Sequence, residues 1–237
     1  MGGGPLSVVI PALDAAATLP ATLAGLAPAR DAGVLHEVIV VDGGSGDGTG
    51  EVACRAGARV IAAQRGRGAQ LVAGAEAAGG DWLLFLHADT VLDAGWVAAV
   101  QAFMAGPDAT ARAAVFRFAL DDPDPRARRV ERMVRWRGRV LALPYGDQGL
   151  LISRALYRQV GGYRPLPLME DVDMVRRLGR ARLVVLDAAA LTSAARYRRD
   201  GWWRRPARNL LILGLYYLGV PPGVLRRLYE WPRARTS

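Results

Sequence analysis

Along the first part of the chain, apolar residues gather in short runs separated by stretches of helical spacing. The runs are Leu6-Ser7-Val8-Val9-Ile10-Pro11, Glu37-Val38-Ile39-Val40-Val41-Asp42, Ala58-Arg59-Val60-Ile61-Ala62 and Trp82-Leu83-Leu84-Phe85-Leu86. Near-continuous apolar runs of this length suit strands buried on both faces, as in a parallel sheet covered by helices. Between the first two, Leu19, Leu23 and Leu26 recur at spacings of four and three, which predicts a helix from Asp14 to Leu26 with Asp14 as its N-cap. A short helix through Cys54 follows the second run. A polar turn, Gln64-Arg65-Gly66-Arg67-Gly68, then leads into a helix ending near Ala78. After the fourth run a new helical pattern starts near Asp93. Strand–helix alternation of this kind predicts an α/β fold whose central sheet is mostly parallel and flanked by helices.

The pattern loosens afterwards. Ala113 to Leu120 reads as a strand, and Asp124 to Leu143 as a basic amphipathic helix with Val130, Met133, Val134, Val140 and Leu141 on one side. Tyr145-Gly146-Asp147-Gln148-Gly149 forms a turn into a strand at Leu150-Leu151-Ile152. Gly161 to Pro167 makes a loop, and Met169-Glu170-Asp171-Val172-Asp173 opens a helix reaching Leu178. Acidic residues in a first helical turn favour the macrodipole, which alone would account for Glu170, Asp171 and Asp173. Leu183 to Leu186 is the last expected strand. The expected division is a domain over residues 1–190 and a basic, aromatic helical extension over 191–237.

That extension carries the apolar run from Leu210 to Val220, which Pro221-Pro222 ends and Trp202, Trp203, Arg204 and Arg205 precede. A membrane span needs roughly 20 apolar residues, so the run is too short to cross. Two readings stay open: a helix packed on the domain or on a second copy of the chain, or an interfacial helix whose Trp and Arg residues lie among lipid headgroups over residues 196–228.

Composition adds three bounds. A 51% hydrophobic fraction over 237 residues is ample for one large core. The single cysteine, Cys54, excludes a disulfide framework and a cysteine-based zinc site. Charge is divided: residues 1–110 carry 5 Arg against 11 acidic residues, and residues 111–237 carry 26 Arg against 11. The basic half suits a phosphorylated partner or a membrane surface and is not read as a nucleic-acid signature. No secretory leader pattern follows Met1, so the expected location is cytoplasmic, with peripheral contact at the inner face of the membrane under the interfacial reading.

Candidate chemistry sits where strands end. Asp42 closes the second run, and the fourth delivers His87-Ala88-Asp89. Open α/β sheets bind ligands at such ends: one carboxylate can receive a base or ribose, and another can hold a hard cation against a diphosphate. Taken alone, Asp89 reads first as a cap of the helix starting near Asp93, and the rest of the chain carries the case for a cation. Arg67 stands on a neighbouring turn within reach of a phosphate, and Glu170 or Asp171 offers a separate base.

In order and spacing, Ser7-Val8-Val9-Ile10-Pro11, Val40-Val41-Asp42-Gly43-Gly44-Ser45-Gly46-Asp47-Gly48-Thr49, Phe85-Leu86-His87-Ala88-Asp89 and Met169-Glu170-Asp171-Val172-Asp173 resemble family 2 glycosyltransferases of the GT-A fold. Within it, the chain looks like a bacterial subgroup of small single-domain enzymes with His-Ala-Asp-Thr and Gly-Asp-Gln-Gly motifs. The resemblance implies an inverting, metal-dependent transfer of a sugar from a UDP- or GDP-linked donor to a hydroxyl acceptor, which the basic extension would allow to be lipid-linked. It implies nucleotide contacts at Pro11, Asp14, Asp42 and Arg67. Asp89 would bind Mn2+ or Mg2+, with His87 as a second ligand. Asp171, or Glu170 beside it, would be the general base, and Gln148 would line the donor or acceptor pocket. Two positions depart from the family pattern: Asp14-Ala15 stands where Asn-Glu is usual, and His87 replaces the first Asp of the metal motif. A nucleotidylyltransferase would want a basic Gly-rich loop straight after the first strand, and a Rossmann oxidoreductase a different glycine spacing. A nucleotide-sugar-binding protein without transferase activity is the remaining alternative.

Overall fold

Each apolar run of the first part of the chain becomes a strand. In the computed structural model, which describes residues 5–141 and 146–230, these are β1 (Leu6–Ala12), β2 (Leu35–Asp42), β3 (Arg59–Ala62) and β4 (Trp82–Phe85). The later strands are β5 (Thr90–Leu92), β6 (Ala113–Leu120), β7 (Leu150–Ser153) and β8 (Leu183–Thr192). The helices are α1 (Leu19–Ala24), α2 (Ala27–Asp31), α3 (Thr49–Arg55), α4 (Arg67–Ala77), α5 (Trp96–Met104), α6 (Pro125–Leu141), α7 (Arg154–Gln159), α8 (Glu170–Leu178), α9 (Ala195–Asp200), α10 (Arg204–Tyr217) and α11 (Pro222–Glu230).

One sheet runs β3-β2-β1-β4-β7-β6-β8-β5. Its first four strands are parallel, with Val9 opposite Ile39 on one side and Phe85 on the other. β7 then enters antiparallel between β4 and β6, β6 and β8 are parallel, and β5 closes the edge antiparallel to β8. Because β2 and β3 lie on one side of β1 and β4 on the other, strand order reverses between β1 and β4. Such a reversal opens a crevice at the carboxyl ends of the strands.

Both faces of β1 are covered. Val8 and Ile10 pack in a core with Leu19, Leu84 and Trp96, while Val9 packs with Ile39, Val41, Leu71 and Phe85 beneath α4. α4 comes close to the sheet at Gly74, where a Cβ would overlap Val9 Cγ1 and lie 2.8 Å from Val41 Cγ2. Overpacking there costs about 1–3 kcal/mol, offset by up to about 1 kcal/mol of helix propensity. Gly74→Ala is therefore expected to destabilise the chain by about 1–2 kcal/mol in urea unfolding. An unchanged midpoint would contradict this packing.

The structure corrects four local expectations. Asp14 does not cap a helix that starts there. It has φ 47° and the helix begins at Leu19, because the Asp14 backbone and carboxylate are tied to the loop after β2. No helix begins at Asp93 either: Asp89 is followed by β5, and Asp93 Oδ2 accepts from Ala189 N at 2.7 Å, pinning that strand's end to β8. α5 starts at Trp96, so Asp89 is not its cap. β8 extends six residues beyond Leu186, through an alanine-rich stretch that carries little local signal. α7 has no counterpart in the apolar pattern and is capped by Ser153, whose Oγ accepts from Leu156 N at 3.1 Å. Tyr145 of the expected turn lies outside the described residues, as do residues 142–143 of the expected helix and the side chains of Val140, Leu141 and Arg196.

The C-terminal helices pack on the domain. Ile212 and Leu213 of α10 and Leu225 of α11 bury against Met169, Val172 and Val175 at α8. Leu211, Leu218 and Leu228 stay exposed. No helix of the described residues is long and apolar enough to cross a membrane.

Candidate active site

The loop after β1 and the loop after β2 are stitched together by side chains at the crevice. Asp42 Oδ1 accepts from Gly44 N at 3.2 Å, Ser45 N at 2.9 Å and Ser45 Oγ at 2.6 Å. Asp14 N donates to Ser45 Oγ at 3.0 Å, and Asp14 Oδ1 accepts from Gly46 N at 3.0 Å. Ala15 N and Ala16 N donate to Thr49 Oγ1 at 2.8 Å and Asp47 Oδ2 at 2.9 Å. A turn with left-handed Gly44 and Gly48 lets these donors converge. Pro11 is buried within β1, behind this loop pair.

Gln70, which sequence reasoning missed, fastens the strand ends from below. Its Nε2 donates to Ala12 O at 2.7 Å, which also accepts from Gly43 N at 3.0 Å, and to Val41 O at 2.8 Å. Its place one turn into the helix after a Gly-rich loop was the available signal.

Arg67 is the first residue of α4, and it meets two distant elements. Its Nε donates to Glu170 Oε1, its NH2 lies 3.7 Å from Asp171 Oδ2, and its NH1 lies 3.3 Å from His87 Nε2. Gly68 makes this approach possible, because a Cβ there would come within 2.7 Å of backbone atoms of Arg164 and Leu166. Met169, with φ 66°, turns the chain so that α8 starts with its acids facing Arg67. Glu170 is 1% exposed. Burial pushes its carboxyl above the ordinary range, Arg67 opposes that, and neighbouring Asp171 adds to it. Burial works against the Arg67 charge, but Glu170 and Asp171 outweigh it and hold the guanidinium more firmly protonated than usual.

The dipole reading of the three acids therefore covers only part of their role. Asp173 is bound by Arg177 at 2.7 and 2.9 Å and by Arg164 at 3.4 Å. Glu170 is committed to Arg67. Asp171, whose Oδ1 accepts from Val172 N at 2.8 Å, faces a cleft that His87, Asp89, Arg67 and Asp147 also line. Thr192, Ser193, Tyr197, Met133, Val134 and residues of α10 are also among its lining. Gln148 stands beside it, buried, its Nε2 donating to Phe116 O at 3.0 Å; Asp147 is the member of that turn that lines the cleft.

Removing Arg67 would leave Glu170 and Asp171 facing each other without a counter-charge. Such removal from a fully buried pair costs about 3–5 kcal/mol. Arg67's side chain is 38% exposed, so about 2–4 kcal/mol is expected for Arg67→Ala at pH 7.5. The sign with pH follows from Glu170. Its folded-state pKa lies above 4.5, so ionisation costs stability as pH rises through that value, and losing Arg67 raises the pKa further. The gap between variant and parent should narrow as pH falls towards 4.5, where protonated Glu170 no longer needs the guanidinium. Urea unfolding from pH 5 to 8 measures it; a pH-independent gap would contradict the coupling.

A hard divalent cation fits the donor set in a particular way. Among the described residues no cluster of three or more His, Cys, Asp or Glu forms a closed metal cage. Asp89 and Asp171 nevertheless line one cleft. Mg2+-like ions are commonly held by one or two carboxylates plus substrate phosphates, so an incomplete protein cage suits a cation that is shared with a diphosphate.

Comparison with known proteins identifies the family and the fold. The sequence model described as Glycosyl transferase family 2 matches residues 7–160. Glucosyl-3-phosphoglycerate synthase of Mycobacterium tuberculosis is 34% identical over 98 residues, covering 38% of this chain and 30% of that protein. The chain thus matches less than a third of the length of the curated relative. The crystal structure of that synthase with Mn2+, UDP and glucosyl-3-phosphoglycerate superposes with a TM-score of 0.56 and 25% identity, covering 81% of this chain and 71% of that one. Its complex with Mn2+, UDP and phosphoglyceric acid gives a TM-score of 0.56 and 25% identity over 81% and 69%. The mixed sheet with flanking helices is the GT-A architecture expected from the sequence.

Proposed function

We propose that this chain, which belongs to glycosyl transferase family 2, moves a sugar from a UDP-linked donor to a hydroxyl acceptor with inversion at the anomeric carbon. The observation that carries this reading is the convergence of Arg67, His87, Asp89 and Asp171, from three separate elements, on one cleft at the end of β4. The UDP and Mn2+ held by the related synthase support the choice of nucleotide and cation.

In this account the loops joined by Asp14 and Asp42 receive the base and ribose beside Pro11, and Asp89 is the protein ligand of Mn2+ or Mg2+. That cation would supply charge stabilisation for the departing diphosphate. Arg67, held by Glu170, positions Asp171 and keeps a guanidinium near the phosphates. Asp171 takes the proton of the acceptor hydroxyl as it attacks, the role a positioned carboxylate plays in general base catalysis. His87 directs Nε2 to Arg67, so ligation through that nitrogen would need an exchange of partners. Gln148 holds the Asp147 turn at the pocket's edge through Phe116.

The test is turnover of a donor panel, with UDP-glucose, UDP-galactose and GDP-mannose each supplied with and without Mn2+. UDP release that requires a divalent cation is expected. Turnover of GDP-mannose alone would overturn the choice of base, and release of no nucleotide from any donor would overturn the transferase reading.

The exposed Leu211, Leu218 and Leu228, with exposed Arg204, Arg226 and Arg227, give α10 and α11 an accessible face that is both apolar and basic. This face suits the surface of an anionic membrane, each basic residue contributing about 1 kcal/mol. Co-sedimentation with phosphatidylglycerol vesicles at low salt, lost at high salt, is the expected result; self-association without vesicle binding would assign the face to a second copy of the chain.

A further inference from the structure

The cleft has two chemically different walls. Asp89, Asp147 and Asp171 line one part, where Arg67 is already engaged by Glu170 and Asp171. Arg205, Asn209 and Leu210 of α10 line another. The Arg205 side chain is 13% exposed. Its NH1 donates to Asp200 Oδ2 at 3.2 Å, and its guanidinium lies 5.4 Å from the Tyr197 ring centroid. Its Nε is buried and meets no acceptor among the described residues.

Asp200 does not neutralise this group alone. Arg199 Nε also donates to it at 2.8 Å, and Arg208 NH2 lies 3.7 Å away. One carboxylate therefore answers three guanidiniums; the Arg199 side chain is 55% exposed to water, and of the three Arg205 alone lines the cleft. Arg208 Nε, like that of Arg205, is buried without an acceptor among the described residues. Burying a charged donor with an unused N–H is costly unless an acceptor reaches it. A guanidinium fork satisfies that need best with a planar or tetrahedral oxyanion.

We propose that the acceptor carries, beside its reacting hydroxyl, a phosphate-type anionic group that Arg205 receives. The inference rests on the transferase reading above and names the class of its second substrate. A phosphate monoester, with about −1.5 to −2 charge at neutral pH and three acceptor oxygens, suits a guanidinium that shares its one carboxylate with two others. Met133, Val134 and Leu210, which line the same cleft, accommodate hydrocarbon next to the anion. The phosphate can come from a small phosphorylated hydroxy compound or from a lipid headgroup, and the chemistry at Arg205 is shared by both.

Calorimetric titration of the full chain, saturated with UDP and Mn2+, tests this with three probes. These are glycerol 3-phosphate, glycerol as its neutral match, and lysophosphatidic acid in neutral micelles. Saturable binding of one or both phosphorylated probes, with none for glycerol, is expected. Arg205→Gln should weaken it at least about 10-fold. Arg205→Lys, which keeps the charge without the fork, should fall between and guards against a folding defect in the first variant. Tighter binding of the lipid assigns the headgroup source, and tighter binding of glycerol 3-phosphate the soluble one. Equal affinity for glycerol, no phosphate binding, or phosphate binding unchanged in Arg205→Gln overturns the proposal. UDP affinity is read first in the same samples. Its absence overturns the transferase reading and this inference with it, whereas UDP binding without Arg205-dependent phosphate binding overturns this inference alone.

Discussion

Asp171→Asn is expected to cut sugar transfer by about 100- to 10,000-fold in kcat, the range over which a positioned general base contributes. The substitution keeps the size of the side chain and an oxygen that can still accept from Val172 N, as Asp171 Oδ1 does at 2.8 Å. Arg67 retains Glu170 as its partner, so the guanidinium stays in place. What is lost is a carboxylate able to take the acceptor proton. UDP affinity should therefore stay within about 3-fold of the parent while turnover collapses, a split that a folding defect would not produce. Steady-state kinetics beside UDP titration measures both. Retained turnover would contradict the assignment of the base to Asp171, since Glu170 and Asp173 are both paired with arginines.

Asp89→Ala carries the second large effect. Asp89 lies in the tight turn between β4 and β5, where Thr90 N donates to His87 O at 3.3 Å and Ser193 N to Asp89 O at 3.4 Å. Those backbone bonds do not need its side chain, so the turn should keep its course. With its carboxylate gone, a cation held as proposed would lose its protein anchor. Second-sphere changes alone cost about 10- to 100-fold in metal affinity, so a direct ligand should cost at least about 100-fold. Mn2+ would then no longer strengthen UDP binding. If the Mn2+ effect survives in Asp89→Ala, Asp171 or Asp147 holds the cation instead.

The parallel half of the sheet was legible because burial on both faces writes itself into the sequence as apolar runs at β1, β2 and β4. Strand ends were legible for the same reason: a polar residue closing such a run, Asp42 or Asp89, has to emerge at the sheet's edge. The arrangement after Asp89 was not. β5 is three residues long, β8 runs through Ala188, Ala189 and Ala190, and the insertion of β7 between β4 and β6 joins residues far apart in the chain. None of these leaves a local period to read.

Within the site, the motifs pointed to Asp42, Asp89 and Asp171 as single residues, but not to their mutual contacts. That Arg67 would reach Glu170 depends on Gly68 letting the start of α4 approach the 164–166 backbone and on the left-handed turn at Met169. Asp14 read as a cap because aspartate before a helical pattern usually is one; here the loop after β2 offered its carboxylate better donors. The wall formed by α10 was hidden for another reason. The Leu210–Val220 run advertises an apolar helix, while its contribution to the cleft comes through Arg205 and Asn209, which lie just before and at the edge of that run.

The most direct measurement is the affinity of the unmodified chain for UDP, titrated calorimetrically with Mn2+ and without it. A cation shared between Asp89 and a diphosphate predicts that Mn2+ tightens UDP binding by at least about 10-fold, equivalent to roughly 1.4 kcal/mol. Equal affinity with and without Mn2+, or no UDP binding in either condition, would contradict the assignment of this cleft to a nucleotide-sugar donor.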